Sequence, residues 1–440
     1  METELSGGSG ASGGSGATGE SGASGESGAS GGRGVSGASG ATGSTETTLR
    51  EVIEMLAPIE RRAGSDGERA AAEWIVSRLE VAGARDSRIE ETTFLDGYAP
   101  LISALCAAAA AAGGAALWSR RARIPAAAAA LAAAGLIADD VSNGPRFARR
   151  ATQEPKPTQN VVAEAGDPGA ERTLVVMAHH DAAPTGAFFD QGGQQWVADH
   201  LPGVIERMDT TFPNWWATLA GPTLAGLGAL TGRRGLTAAG AAMSALAAAI
   251  LADIARSPIV PGANDNLTAV ATLVALSERL AERPIAGVRL LLVSLGAEEV
   301  CQGGIYGFAE RHFPEFDRER TWFLNVETVG SPHLVLMEGE GTVVMEDYYD
   351  RPFRDLIARE AERSGIPMRR GMRWRNSTDA VIPSRAGYPI ATIASMNRFK
   401  AMSNYHLMSD TPENIDYATV ERAVDLAEAI ARALAPTTRS

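Results

Sequence analysis

The chain has 440 residues, 45% of them hydrophobic, and a formal net charge of -13 at pH 7. That length supports one large α/β domain plus insertions, and the negative balance repels a long polyanion, which argues against nucleic acid as a partner. Two cysteines, Cys106 and Cys301, cannot make a four-thiolate zinc site and give no disulfide framework.

The first residues, METELSGGSG, are polar and acidic, unlike a cleaved signal peptide. From Gly7 to Gly43 glycine falls at every third position without any proline. The G-x-y period is that of a collagen stalk, but lacking imino acids it reads as a disordered tail over residues 1–45. Order is expected from Thr47, where Leu49, Val52, Ile53 and Leu56 keep a helical spacing, followed by an amphipathic helix over residues 67–84. IEETTFL from Ile89, NVVAEA from Asn160, TLVVMAHHD from Thr173, VRLLLVSLGAEE from Val288 and TWFLNVETVG from Thr321 read as strands, several with polar clusters at their C-terminal ends. Helical patterns from Leu267 and from Phe353 alternate with them. The fold class is therefore α/β, a three-layer α/β/α sandwich with a mostly parallel mixed sheet and ligands beyond the carboxyl ends of its strands.

Four segments stand outside that pattern: 101–118, 124–138, 215–230 and 236–252, uninterrupted by charge. They pair as two apolar hairpins, expected over 98–140 and 213–255, whose connectors carry Arg120, Arg121, Arg123, Arg233 and Arg234. Each segment is near the lower length limit for crossing a bilayer. Two membrane hairpins are one reading; two soluble helical hairpins forming a cap are the other, because alanine contributes little to insertion. The catalytic domain is then expected in three pieces, 46–97, 158–200 and 258–437. A membrane-associated, multi-pass protein follows from the first reading, and its sidedness stays open: connector arginines place the domain outside, whereas Arg146, Arg149 and Arg150 lie on the domain side.

A hydrolytic metal site needs imidazoles and carboxylates converging on one point, with a further carboxylate free to accept a proton. AHHD (178–181), PGANDN (261–266), GAEE (296–299), NVETVG (325–330), STDA (377–380) and NYHLMSDTPEN (404–414) supply these in order. Strand alternation sends His179 and His180 to opposite faces, so only one is a ligand. His200, His312 and His333 have no comparable setting and read as surface or structural.

The ordered set resembles the metallo-aminopeptidase family that includes bacterial leucine aminopeptidases, glutamate carboxypeptidase and the glutaminyl cyclases. The similarity covers about residues 50–97, 158–187 and 258–436, and the two hairpins interrupt it. The resemblance implies the zinc exopeptidase fold, two Zn2+ ions and a peptide substrate. Metal ligands would be His179, Asp265 as the bridge, Glu299, Glu327 and His406, with Glu327 standing where the aminopeptidases usually have aspartate. Glu298 would be the general base and Tyr405 an oxyanion donor, although Tyr405 also suits plain packing. Asp181, Asn266 and Asp410 would support the ligands, Asp181 by orienting His179 and the others by fixing the bridging carboxylate and His406. Asp379 would line the substrate cleft, while a helix N-cap by Ser377 or Thr378 explains that stretch equally. The expected activity is removal of an N-terminal residue from a peptide. The alternatives are a single-zinc, glutaminyl-cyclase-like aminoacyl transferase and a non-catalytic receptor-type domain. The natural peptide, side-chain preference and oligomeric state are not encoded in any motif.

Overall fold

The computed structural model describes residues 38–436. Nine strands make one mixed sheet: β1 (Arg85–Leu95), β2 (Pro155–Gly166), β3 (Thr173–His179), β4 (Arg289–Leu295), β5 (Thr321–Glu327), β6 (His333–Glu340), β7 (Glu346–Asp347), β8 (Met368–Trp374) and β9 (Ile390–Met396). Their spatial order is β1-β2-β4-β3-β5-β9-β6-β7, with β8 beside β6. The neighbours β4, β3, β5 and β9 run parallel, so their carboxyl ends share one edge of the sheet. Strand β2 is antiparallel to β1 and β4, and β6 to β9.

The helices, in chain order, are α1 (Ala38–Leu56), α2 (Asp66–Val81), α3 (Tyr98–Trp118), α4 (Arg123–Val141), α5 (Phe147–Thr152), α6 (Gly192–His200), α7 (Pro202–Arg207), α8 (Trp216–Thr231), α9 (Arg234–Ile254), α10 (Thr268–Glu282), α11 (Gly303–His312), α12 (Arg351–Arg363), α13 (Val381–Arg385) and α14 (Tyr417–Leu434). Side chains alternate across each strand. Leu174, Val176, Leu290, Leu292 and Leu324 face a core shared with α1, α2, α10, α12 and α14. Val175, Met177, Leu291, Val293 and Phe323 face the opposite core, with Ile305 and Phe308 of α11. Every residue of β3 is buried, which is why its sequence is a continuous apolar run rather than an alternating one.

Helix α1 starts at Ala38, ahead of the Thr47 start that apolar spacing gives and inside the tail expected over residues 1–45. The rest of that tail, residues 1–37, lies outside the described residues, as do 437–440. Helices α5, α6 and α7 are too short to show a period and were not legible in advance.

The apolar segments form α3 with α4 and α8 with α9, and the two hairpins pack into a four-helix bundle. Small residues set its spacing. A Cβ on Gly113 would stand 2.8 Å from the Ala241 Cβ, and one on Gly221 would stand 2.7 Å from the Ser244 N; one on Gly240 would collide with the Ala225 backbone. Close backbone approach through Gly, Ala, Ser and Thr is the packing used where apolar surroundings give helices no hydrophobic drive to associate. Three helices are long and apolar enough to cross a membrane, Tyr98–Trp118, Arg120–Val141 and Arg234–Ile254. The fourth, α8, has 16 residues with Pro222 inside. At about 1.5 Å per residue it is shorter than the roughly 30 Å hydrocarbon layer.

Gly240→Leu is therefore expected to destabilise the bundle by at least the ~1–3 kcal/mol typical of overpacking. Gly114→Leu, where nothing lies within 4 Å of an added Cβ, is expected to stay within about 0.5 kcal/mol of the parent. Thermal unfolding of both variants checks this; equal behaviour would mean the glycine contact does not set the packing.

Candidate metal centre

Four parallel strands deliver their ends to one point. His179 is the last residue of β3 and Glu327 the last of β5; Glu298 and Glu299 sit in a 3-10 turn beyond β4, and His406 lies in the loop after β9. Asp265 comes from the irregular Ala263–Leu267 turn that opens α10. His179 Nε2 stands 3.3 Å from Asp265 Oδ1 and 3.3 Å from Glu327 Oε1. His406 Nε2 stands 3.3 Å from Asp265 Oδ2 and 3.2 Å from Glu299 Oε2. Among the described residues three groups have donor atoms within 4.8 Å of one another: His179–Asp265–Glu327 and Asp265–Glu299–His406, two triads that use different oxygens of Asp265, and His179–Glu298–Glu299, which brings Glu298 beside both. His180 turns the other way, its Nδ1 2.9 Å from Ser294 Oγ.

The loops carrying these groups are fixed from behind. Asp181 accepts hydrogen bonds from the backbone N–H of Glu298 and of Glu299, both at 3.0 Å, and its Oδ1 is 3.4 Å from His179 Nδ1. Its carboxylate thus ties the β3 end to the acidic turn as well as facing the imidazole. Asp410 accepts from the N–H of Asn264 at 2.8 Å and of Asp265 at 3.0 Å. The Asn266 side chain donates to Val326 O at 3.2 Å and accepts from Thr328 N–H at 2.8 Å, which holds the Glu327 loop. Neither Asp410 nor Asn266 bonds His406, contrary to the sequence expectation; that ring is wedged between Phe189 and Tyr405, with centroids 4.5 and 3.9 Å away.

Arg61 and Glu68 were not legible in the sequence. Arg61 is fully buried and donates to His180 O at 2.8 Å, Pro261 O at 2.8 Å and Gly262 O at 3.2 Å, joining two ligand loops. Burial lowers its pKa to about 10, so it remains a cation beneath a cluster of acids. Glu68 accepts from the N–H of Ala297 at 2.9 Å and from Thr158 Oγ1 at 2.8 Å. Gly296 packs so tightly there that a Cβ would stand 2.7 Å from Gln159 O and from Glu68 Oε1. Ala297, Cys301, Gln302, Thr328, Asn404 and His406 all adopt left-handed φ between 51° and 70°. Such strain in non-glycine residues persists only where surrounding contacts over-determine it.

The charge balance asks for cations. Burial pushes Glu298 well above the usual carboxylate range and Glu299 up to about 6. Burial, the largest single influence, lowers the two imidazoles, but the surrounding carboxylates together outweigh it: Glu327, Asp181 and Asp265 hold His179 well above its ordinary value, and Glu299 and Asp265 push His406 up to about 10. Glu299 Oε1 and His406 Nε2 are buried without a hydrogen-bond partner. Acids crowded in low dielectric with unpaired atoms are costly unless a metal completes them. Nitrogen and oxygen donors in this ratio suit zinc.

Glu298 Oε1 accepts from Gln302 Nε2 at 3.0 Å, and Gln302 also donates to Ser377 O at 2.9 Å. Tyr405 borders the cleft above Asp265, Glu298, Glu299 and Glu327, and burial holds its phenol well above its ordinary pKa, hence protonated. Asp379, expected to line the substrate cleft, is 1% exposed and buried close to His179 and Glu327, while Asn376, Ser377 and Thr378 line the cleft. The remaining histidines are elsewhere, His312 bonded to Glu90 at 2.8 Å, His200 stacked on Trp196 and His333 exposed on β6.

The bundle is tied to this centre by a buried arginine. Arg149 of α5 pairs with Asp140 at the end of α4, both essentially inaccessible, and donates to Leu95 O at 3.1 Å and Val300 O at 2.8 Å. Val300 directly follows the acidic pair.

Residues 245–431 match Peptidase family M28. The match includes Asp265, both glutamates of the turn, Glu327 and His406, while His179 joins through the pairing of β3 with β4 and β5. No curated protein sequence matches the chain. Among solved structures, the chain is similar to a Bacteroides thetaiotaomicron glutaminyl cyclase bound to N-acetylhistamine, at TM-score 0.52 and 11% identity over 88% of this chain and 97% of that one. It is also similar to BSAP, a zinc aminopeptidase from Bacillus subtilis, at TM-score 0.51 and 13% identity over 90% and 95%. A Tannerella forsythia glutaminyl cyclase gives TM-score 0.50 and 15% identity over 88% and 98%. These likenesses establish the fold.

Arg149→Met is expected to cost about 3–5 kcal/mol, because it leaves Asp140 buried and unpaired. Adding Asp140→Leu should recover much of that loss. Chemical denaturation measures both, and equal instability of the single and double variants would contradict the paired-charge account.

Proposed function

We propose that this chain, a zinc metallopeptidase of the M28 type acting on peptides, is an aminopeptidase with a two-zinc centre and Glu298 as general base. The observation that carries the reading is the pair of ligand triads sharing Asp265, with the carboxylate of Glu298, not needed by either, beside them. His179, Asp265 and Glu327 would hold one ion and Asp265, Glu299 and His406 the other.

Zinc, when bound, polarises the scissile carbonyl and acidifies water. Glu298 takes a proton from the attacking water as its oxygen bonds to the carbonyl carbon. Burial raises the Glu298 carboxylate above the usual pKa range, which favours taking up a proton and handing it on. Gln302 holds one Glu298 oxygen and leaves the other to face the water. The Tyr405 hydroxyl donates to the oxyanion. Glu298 then returns the proton to the departing nitrogen as the C–N bond breaks, giving a free amino acid and a peptide one residue shorter.

Glu298→Gln is expected to keep two zinc ions per chain while losing about 10²–10⁴-fold in turnover of aminoacyl amides. Metal analysis and kinetics on the same preparation check this; unchanged turnover would remove Glu298 as the base. One zinc per chain with cyclisation of N-terminal glutamine would instead establish the glutaminyl-cyclase-type transferase.

The bundle supports membrane anchorage. Its three long helices have 21, 22 and 21 residues, matching the roughly 30 Å hydrocarbon thickness, and only 28, 39 and 33% of their apolar windows are buried. The remainder, with Trp118, Ile124, Leu230 and Leu246, faces outward. So much apolar surface has no place on a water-facing cap. The connectors meet at the end away from the catalytic centre, where Arg123 Nε donates to Ala229 O at 3.0 Å. On the domain side Arg146 and Arg149 are buried in internal hydrogen bonds and Arg150 and Arg256 are exposed, against Arg120, Arg121, Arg123, Arg233 and Arg234 in the connectors. The positive-inside rule then puts the connectors in the cytoplasm and the catalytic domain on the other face. The intact chain is expected to stay with membranes through alkaline extraction, and added protease should reach the catalytic domain in whole cells. Release into the soluble fraction would defeat the anchor, and protection of the domain would reverse its side.

A further inference from the structure

Beside the metal centre a cleft of about 940 Å³ opens between the catalytic domain and the bundle. Its floor carries Glu298, Glu299, Tyr405 and His406, the groups around which the proposed chemistry is arranged. Its far wall comes from all four inserted helices or their first residues: Tyr98 of α3, Val141 of α4, Trp215 and Thr218 at the start of α8, and Ala247 and Leu251 of α9. Tyr98 and Trp215 brace each other edge to face, with centroids 5.9 Å apart. Among the described lining residues, charge is confined to the metal-centre end, so a charged group reaching the far wall would lose its hydration without gaining a partner. A separate recess of about 510 Å³, lined by Asp190, Gln191, Gln194 and Lys400 among others, meets the centre across Phe189 and Tyr405. The centre thus has one side walled by the insertions, uncharged away from the metal-centre end, and another where Asp190 and Lys400 stand among Phe212, Trp374 and Met402.

Resting on the aminopeptidase reading, we infer that the inserted bundle builds the pocket for the substrate's first side chain and selects peptides with a large, uncharged, apolar N-terminal residue. The far wall is made of aromatic and aliphatic groups, which suits an aromatic or branched aliphatic side chain of the substrate. Ala247 and Leu251 are 3% exposed and sit one helical turn apart on α9, so substitutions there change the depth of the pocket. The bundle would then have two tasks, anchorage by its outer surface and substrate selection by its domain-side end. A truncation of the hairpins would remove selectivity along with attachment.

The test uses the detergent-solubilised, zinc-loaded full chain. The kcat/KM values for alanine, leucine, phenylalanine, lysine and glutamate amides are compared, and binding of L-phenylalaninamide and L-alaninamide is measured on the Glu298→Gln protein. The parent is expected to favour leucine or phenylalanine over alanine at least tenfold, and phenylalaninamide to bind correspondingly tighter. Ala247→Trp, which fills the pocket, should cut the phenylalanine-to-alanine ratio at least tenfold in either measurement. Leu251→Ala, which deepens it, should raise that ratio. A parent preference for alanine, lysine or glutamate, or ratios unmoved by both variants, would overturn the pocket. Selective binding that responds to both variants, without hydrolysis of any amide, would uphold the pocket and sink only the aminopeptidase reading.

Discussion

Two imidazoles and three carboxylates converge, each imidazole Nε2 within 3.3 Å of two carboxylate oxygens. Their mutual charge cannot be balanced by the imidazoles alone, with Glu298 and Asp379 also buried close by. Much of the surrounding architecture can be understood as holding these groups together against that repulsion. Arg61 supplies a fixed cation underneath, and Asp181 and Asp410 orient loops through backbone N–H groups. The strained residues around the rim keep the side chains aimed inward. In water such carboxylates would simply separate; in a dry site they are stable only with positive charge among them.

The sheet makes that convergence possible. Parallel β4, β3, β5 and β9 end on a common edge, and the candidate ligands come from those ends, from the loops past them and from the turn that opens α10. Groups far apart in the chain meet because strand pairing, not sequence distance, sets their spacing. The insertions exploit the same geometry. Each hairpin leaves and returns near that edge, so the domain-side end of the bundle closes over the metal centre while its connectors lie at the far end. Arg149 joins the two parts by pairing with α4 and bonding the backbone beside Glu299.

Several supporting residues were invisible to sequence reasoning for a common cause. Arg61, Glu68 and Arg149 belong to charged, outwardly ordinary stretches, IERRAG, GERAAAE and FARRAT, and charged side chains are rarely buried. Nothing local marks the exceptions, because each is buried by carbonyls and loops contributed from distant segments. The second-layer assignments shifted for a similar reason. Asp410 was expected to hold His406, which is near in sequence, but its oxygens reach the turn before Asp265. Asp379, by motif a residue of the cleft wall, is buried, and its neighbours Asn376 to Thr378 line the cleft instead.

By itself the sequence determined the alternation of buried strands and helices, the apolar hairpins and the order of the ligand motifs. These are legible because periodicity and local composition report which face of an element leaves water. Only the tertiary structure decided that Arg61 and Glu68 brace the loops of the centre, that Asp410 bonds the backbone of Asp265, and that the hairpins wall the cleft. Those facts depend on register and on the directions of side chains from separate segments, which no local stretch of sequence encodes.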